Sequence, residues 1–280
     1  MPRSSGGYAA AEYLLFHELP PAEGEKATWW VRTDSVVVGF SQTPELTRFT
    51  RASQPDEWML LLPDAETTGS VTAGGQTREV TGNSLVTVPP GPSQVEVTGG
   101  RAMRIFTARN ADLAARAVNA DSYQTPHPYV TPAFSLPEPP GGYRIHSYAL
   151  DAPPAPGCFG RIWRCTTVML NYIFASDGPR DTTSLSPHAH DDFEQITFAL
   201  DGDHVHHIRW PWGPDLAHWR DDEHRCVPAP SAAVIPARSL HTTRAIGAGH
   251  HQLADVFCPP RRDFADKGWV LNADDYPLEG

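Results

Sequence analysis

The stretch SPHAHDDFEQITFALDGD, residues 186–203, decides how this chain is read. His188 and His190 are two apart, so on extended backbone both imidazoles leave the same face. A polar run from Asp191 to Gln195 follows, then the apolar strand ITFAL and a turn at Gly202. Roughly fifty residues later, AVIPARSLHTT (233–243) places His241 after another strand and a proline turn. Two histidines from one strand and one from a neighbour can converge on a single ion inside a small barrel. Imidazole nitrogen suits divalent Zn, Fe, Ni, Cu and Mn.

The rest of the chain frames that site. Ten of the 13 histidines lie between His188 and His251, while the other three are His17, His127 and His146. The net charge over 280 residues is −11, with 22 Lys+Arg against 33 Asp+Glu, and no basic run is present. Phosphate neutralisation needs clustered Lys/Arg, so nucleic acid is excluded as a partner. No apolar run approaches the ~20 residues of a membrane span. The first residues, MPRSSGGYAAAEYLLFHELPP, lack a proper signal-peptide h-region and cleavage site, so a cytoplasmic location is expected. Four widely spaced cysteines form no C-x-x-C, which argues for free thiols rather than a zinc ribbon.

Short runs rich in Val, Ile, Thr and aromatics, punctuated by Gly, Pro and Asn, read as strands throughout. They include 28–40, 58–62, 79–88, 94–97 and 103–107 in the first half. In the second half they include 195–200, 204–209, 232–235 and 252–257. Only 111–119 (ADLAARAVN) has helical periodicity. A proline-rich stretch from Pro126 to Pro156 separates two β-rich blocks and reads as an extended connector. Many short strands with Gly/Pro turns point to an all-β sandwich or barrel. The expected organisation is a first domain over 1–125, a linker over 126–158 and a second domain over 159–280.

At these residues the chain resembles the cupin superfamily, whose double-stranded β-helix carries G-x(5)-H-x-H-x(3,4)-E-x(6)-G and G-x(5)-P-x-G-x(2)-H-x(3)-N. His188-Ala189-His190 fits H-x-H. Pro236 to His241 fits P-x-G-x-x-H, with Arg238 in the place of the glycine, and Ala245 stands where the final Asn belongs. The resemblance covers about 60 residues. It implies an all-β bicupin of two jelly-roll barrels, with His188, His190 and His241 as metal ligands. Counting three residues on from His190 makes Glu194 the fourth ligand, whereas counting four gives Gln195. Only Gln195 restores the six residues before Gly202, and strand register decides which side chain faces inward, so Gln195 is preferred. The first block reads as a worn copy. In GNSLVTVPPGPSQV, Gln94 stands where the histidine belongs, Glu57 lies near the glutamate position, and Thr50 and Ala52 replace H-x-H. A metal-free structural barrel is expected there.

Three histidines and one side-chain oxygen leave open positions on an octahedral ion, as a catalytic metal requires. The resemblance thus implies one divalent ion (Zn, Ni, Fe or Mn) acting as a Lewis acid on a small-molecule substrate of keto-acid, hydroxy-acid or sugar-acid type. Isomerase, lyase or hydrolase chemistry is favoured. An Fe(II)-dependent dioxygenase and a non-catalytic binding or sensing protein remain as alternatives. Glu194 and His206 are the candidate proton-moving catalytic groups. Arg238 could clamp a substrate carboxylate, and His204, Trp210 and Trp212 are further candidate substrate contacts. His218, His224, His250 and His251 read as surface residues. A homodimer is compatible with such folds, and nothing in the sequence specifies one.

Overall fold

The computed structural model describes residues 8–127 and 129–277. The chain forms two barrels, each made of a long sheet facing a short one. In the first, the six strands His146–Ala149, Ser84–Val88, Trp58–Leu62, Arg101–Thr107, Val36–Gln42 and Thr28–Arg32 pair in that order. They face a four-stranded sheet of Thr47–Arg51, Ser93–Thr98, Thr68–Ala73 and Gln76–Thr81. In the second, the path is Glu12–Leu15, Ser231–Ile235, Gln195–Asp201, His250–Phe257, Met169–Ile173 and Gly160–Arg164, with Ser176–Asp177 also pairing onto His250–Phe257. It faces Glu223–Pro228, Asp203–Arg209 and Leu240–Ile246. The expected all-β bicupin architecture is the one observed.

The two long sheets pack back to back. Strand alternation sends Met59 and Leu61 into this shared core and Trp58, Leu60 and Leu62 into the interior of the first barrel. With both faces covered, WMLLL is buried at every position, which is why it reads as a continuous apolar run rather than an alternating one. From the second barrel, Ile196, Phe198, Leu200, Val234 and Val256 complete the shared core.

The sheets do not follow the boundaries drawn at 125 and 158. Glu12–Leu15 pairs antiparallel with Ser231–Ile235 of the second barrel, with Tyr13 opposite Ala233. Within the proline-rich stretch, His146–Ala149 pairs with Ser84–Val88 of the first. Each barrel therefore borrows an edge strand from beyond its own segment. The connector also binds the second barrel directly, through Thr131 N–H to Asp192 O (2.7 Å) and Leu136 N–H to Thr166 O (2.7 Å). The predicted helix over 111–119 is shorter, Ala111–Ala114, because the Val118 N–H donates to Trp30 O (2.9 Å) instead of continuing a helix. A five-residue helix, Arg262–Asp266, was not foreseen. All four cysteines are free. No helix among the described residues is long and apolar enough to cross a membrane.

Candidate metal centre and cavity

The histidines come together through the backbone before any ion is invoked. His188 and His241 form an isolated antiparallel bridge, with His188 N–H donating to His241 O (3.0 Å) and His241 N–H to His188 O (2.8 Å). Arg238 N–H donates to His190 O (2.6 Å), strapping the two motif loops together. Arg238 holds φ = 68°, the left-handed conformation that a glycine would adopt most easily at this turn. The ligand nitrogens of His188, His190 and His241 all lie within 4.8 Å of one another. Around an ion about 2.1 Å from each nitrogen, neighbouring ligand atoms stand about 3–4 Å apart, so the rings need move little.

Tautomers and burial suit ligation. His188 Nδ1 donates to Ser186 O (2.9 Å) and His241 Nδ1 to Ser239 O (3.1 Å), leaving each Nε2 as a lone-pair donor. His241 is 3% exposed, and its Nε2 has no protein partner. Burial, reinforced by the neighbouring histidines and Arg261, pushes His190 down to about 2. Burial and His188 push His241 down to about 4. Both are neutral imidazoles near pH 7. The His190 ring is fixed by stacking on Phe193 at 4.4 Å between centroids.

Gln195 and Glu194 face opposite ways, as adjacent strand residues must. Gln195 Oε1 lies 2.9 Å from His190 Nε2. Its amide nitrogen donates to Thr197 Oγ1 (2.8 Å), and that hydroxyl donates to Asp255 Oδ1 (2.7 Å). The chain of donors fixes the carboxamide with its oxygen toward the triad. Glu194 is turned out of the barrel: Asp34 N–H donates to its Oε2 (2.8 Å) and the Tyr123 hydroxyl lies 3.5 Å from its Oε1. The first barrel repeats this arrangement in mirror role, with Thr166 N–H donating to Glu57 Oε2 (2.8 Å) and Tyr276 O–H to Glu57 Oε1 (2.7 Å). Each glutamate thus pins a turn of the other barrel. That corrects the reading of Glu194 as an alternative ligand or catalytic acid/base.

Register shows which side chains fill the first barrel where the second leaves space. Ile235 pairs with Gln195, and Val88, at the equivalent point before the proline turn, pairs with Trp58. One row further in, Thr197 pairs with Asp255 where Leu60 pairs with Arg104. Thr50 pairs with Gln94, matching His188 with His241. The first barrel is filled by Trp58, Leu60, Phe49 and Val95, while Gln94 lies exposed on its surface.

The second barrel instead encloses a cavity of ≈ 340 Å³ beside the triad. Its polar end is lined by His188, His241, Gln195, Thr197 and Asp255. Arg180, Thr243 and Ser186 form one side, and Ala245, Ile173, Leu253, Phe159 and Phe174 form the apolar remainder. His204 and His251 also border it. His251 is a correction, since it is buried, with Nε2 donating to Ile246 O (2.6 Å), rather than lying on the surface. His206 is buried, within hydrogen-bond distance of Thr243 Oγ1 (2.8 Å), and held down to about 3 by burial and by His204, which makes it a poor proton carrier near neutrality.

Three predicted substrate contacts lie elsewhere. Arg238 is exposed and stacks over Tyr129, with 3.9 Å to the ring centroid. Trp210 is buried with Ile208 and Ile235 beneath Tyr8 and Tyr13. Trp212 is 72% exposed and stacks on Trp219 at 4.3 Å, so neither tryptophan lines the cavity. Among the cavity residues that no motif marks, two are charged: Arg180 and Asp255. Arg180 donates to Thr243 O (2.9 Å) and Ser186 Oγ (3.0 Å), and among the described residues no carboxylate pairs with it. Asp255 is the one carboxylate bordering the cavity among the described residues, and burial pushes it up to about 6.

Two barrels closed by exchanged edge strands, one of them with a histidine triad at its mouth, define the cupin fold in its two-barrel form. Solved structures of oxalate decarboxylase share it. One aligns with TM-score 0.56 at 11% identity, covering 96% of this chain and 86% of that one. A single-substitution variant from Bacillus subtilis gives 0.57 at 11%, covering 94% and 85%. Another oxalate decarboxylase structure gives 0.55 at 11%, covering 100% and 89%. At this identity the likeness speaks for the fold. No family model matches the chain, and no curated protein matches it.

Proposed function

We propose that this protein is a metal-dependent bicupin enzyme that acts on a small oxygenated acid, with His188, His190, His241 and Gln195 holding one divalent ion. The observation that carries the reading is the donor set: three imidazoles, those of His190 and His241 held neutral by burial, and one carboxamide oxygen turned toward them by Thr197 and Asp255. No carboxylate belongs to it, so the ion's charge is left for an anionic, bidentate substrate to neutralise. A bound divalent ion there supplies Lewis-acid polarisation of a substrate carbonyl or hydroxyl.

The chain's own residues do the rest. Arg180, a half-buried guanidinium at the cavity wall, offers its remaining N–H donors to a substrate carboxylate. Asp255 borders the cavity and is the group positioned to exchange a proton, in place of Glu194 and His206. The oxalate decarboxylases that share the fold act on a small carboxylic acid by name, which supports this substrate class. Isomerase or lyase chemistry follows from polarisation without a change of oxidation state. The test is deuterium incorporation from D2O at the carbon next to the carbonyl of α-keto acids, followed by NMR. Incorporation that needs metal and falls in Asp255→Asn supports the proposal, whereas oxygen uptake by the Fe(II)-loaded protein without exchange favours the dioxygenase reading.

A further inference from the structure

We infer that the substrate has two poles: an oxygen pair at the triad and an aryl or branched-alkyl body reaching toward Phe159 and Phe174. The inference rests on the triad being a metal site. Strand Leu240–Ile246 presents His241, Thr243 and Ala245 to the cavity, and four residues of strand separate the first from the last by about 13 Å. Across the sheet the lining changes character over the same distance. Gln195 comes first, then the Thr197–Asp255 pair, and then Leu253, which pairs with Ala199, together with Ile173; Ala245 and its cross-strand partner His204 border the same cavity. Phe159 and Phe174 close the end of that hairpin, joined by Phe174 N–H donating to Phe159 O (3.3 Å), and are 46% and 37% exposed.

A two-carbon dicarboxylate at the triad would occupy the first row and leave the third wet. The first barrel shows what belongs in such a space, because in register with Gln195, Thr197 and Ala199 it carries Trp58, Leu60 and Leu62 in its interior. The second barrel supplies no side chain of that size there, and its ≈ 340 Å³ lies within the ~300–1,000 Å³ range of clefts that enclose compact organic ligands. An apolar ligand body takes the place of the missing side chains.

The experiment titrates the Zn(II)-loaded protein with lactate, 3-phenyllactate and oxalate by calorimetry. Lactate and 3-phenyllactate share the chelating α-hydroxy acid and differ by one phenyl ring. Burying the ring makes 3-phenyllactate about ten- to hundred-fold tighter than lactate. The preference shrinks to about three-fold or less in Leu253→Asn and in Phe174→Ser, while metal content stays at the wild-type level. Phe174 sits at the rim, so its replacement leaves the core intact. Equal affinity for the two acids, or oxalate binding more tightly than 3-phenyllactate in wild type and variants alike, overturns the inference. The metal-stripped protein separates the two readings. A phenyl preference that survives chelation unchanged sinks the metal site and keeps the apolar pole. Metal-dependent binding with no preference does the reverse.

Discussion

Replacing His241 by alanine should have opposite consequences with and without metal. In the metal-free protein, this imidazole is 3% exposed and its Nε2 has no protein partner. A buried unsatisfied polar atom costs about 1–3 kcal/mol, and its removal offsets the lost packing and the lost Nδ1–H bond to Ser239 O. The metal-free variant therefore stays within about 1 kcal/mol of wild type, less than a buried truncation normally costs. With metal the balance reverses. An ion that binds only the folded state stabilises it by about 2.7 kcal/mol at a hundred times Kd. For a chain of this size that is a rise in Tm of about 5–8 °C. Differential scanning calorimetry with Zn(II) and with EDTA reads both terms. The rise should be present in wild type and fall below about 2 °C in His241→Ala. An equal loss of stability in both conditions would show that His241 is an ordinary core residue. A wild-type Tm indifferent to metal would refute the whole argument.

Three further outcomes follow from the packing. Glu194→Ala and Glu57→Ala each strand the turn amide that the glutamate pins, so urea midpoints fall by the equivalent of about 2–3 kcal/mol while metal content is unchanged. Trp58→Ala empties the first barrel and costs about 3–5 kcal/mol by the same assay, again without loss of metal. Glu25 is pushed up by burial, but Arg104 and Arg116 outweigh that and hold it below its ordinary 4.5. Its contribution to stability is therefore present above that value and is lost as pH falls through the lowered folded-state pKa. Urea unfolding of Glu25→Gln against wild type should show a gap near neutrality that closes in acid.

The fold was legible because its signals are local. Runs such as 58–62 and 103–107 fall on observed strands, since β-branched and aromatic residues bounded by Gly and Pro suffice to mark them. The two histidine motifs were legible for the same reason, as each is a strand end plus a turn. Choosing between Glu194 and Gln195 was a question of face, and counting to Gly202 carried that information because the strand alternates. What escaped the sequence is non-local. Nothing in EYLL says that Glu12–Leu15 pairs with a strand more than two hundred residues away. Arg180 and Asp255 belong to no motif and are brought to one cavity only by the fold. Arg238, chosen for its nearness in sequence to His241, takes its turn conformation with its side chain outside. Trp210 and Trp212 read as substrate contacts because composition shows aromatics and not the direction they face.

The most direct test of the account is the metal stoichiometry of the full chain, by native mass spectrometry with elemental analysis. One divalent ion per chain is expected in wild type, and none in a His188→Ala/His241→Ala double variant that still unfolds cooperatively. An ion retained by that double variant, or a wild-type chain that takes up none from Zn(II), Mn(II), Ni(II) or Fe(II), would contradict it.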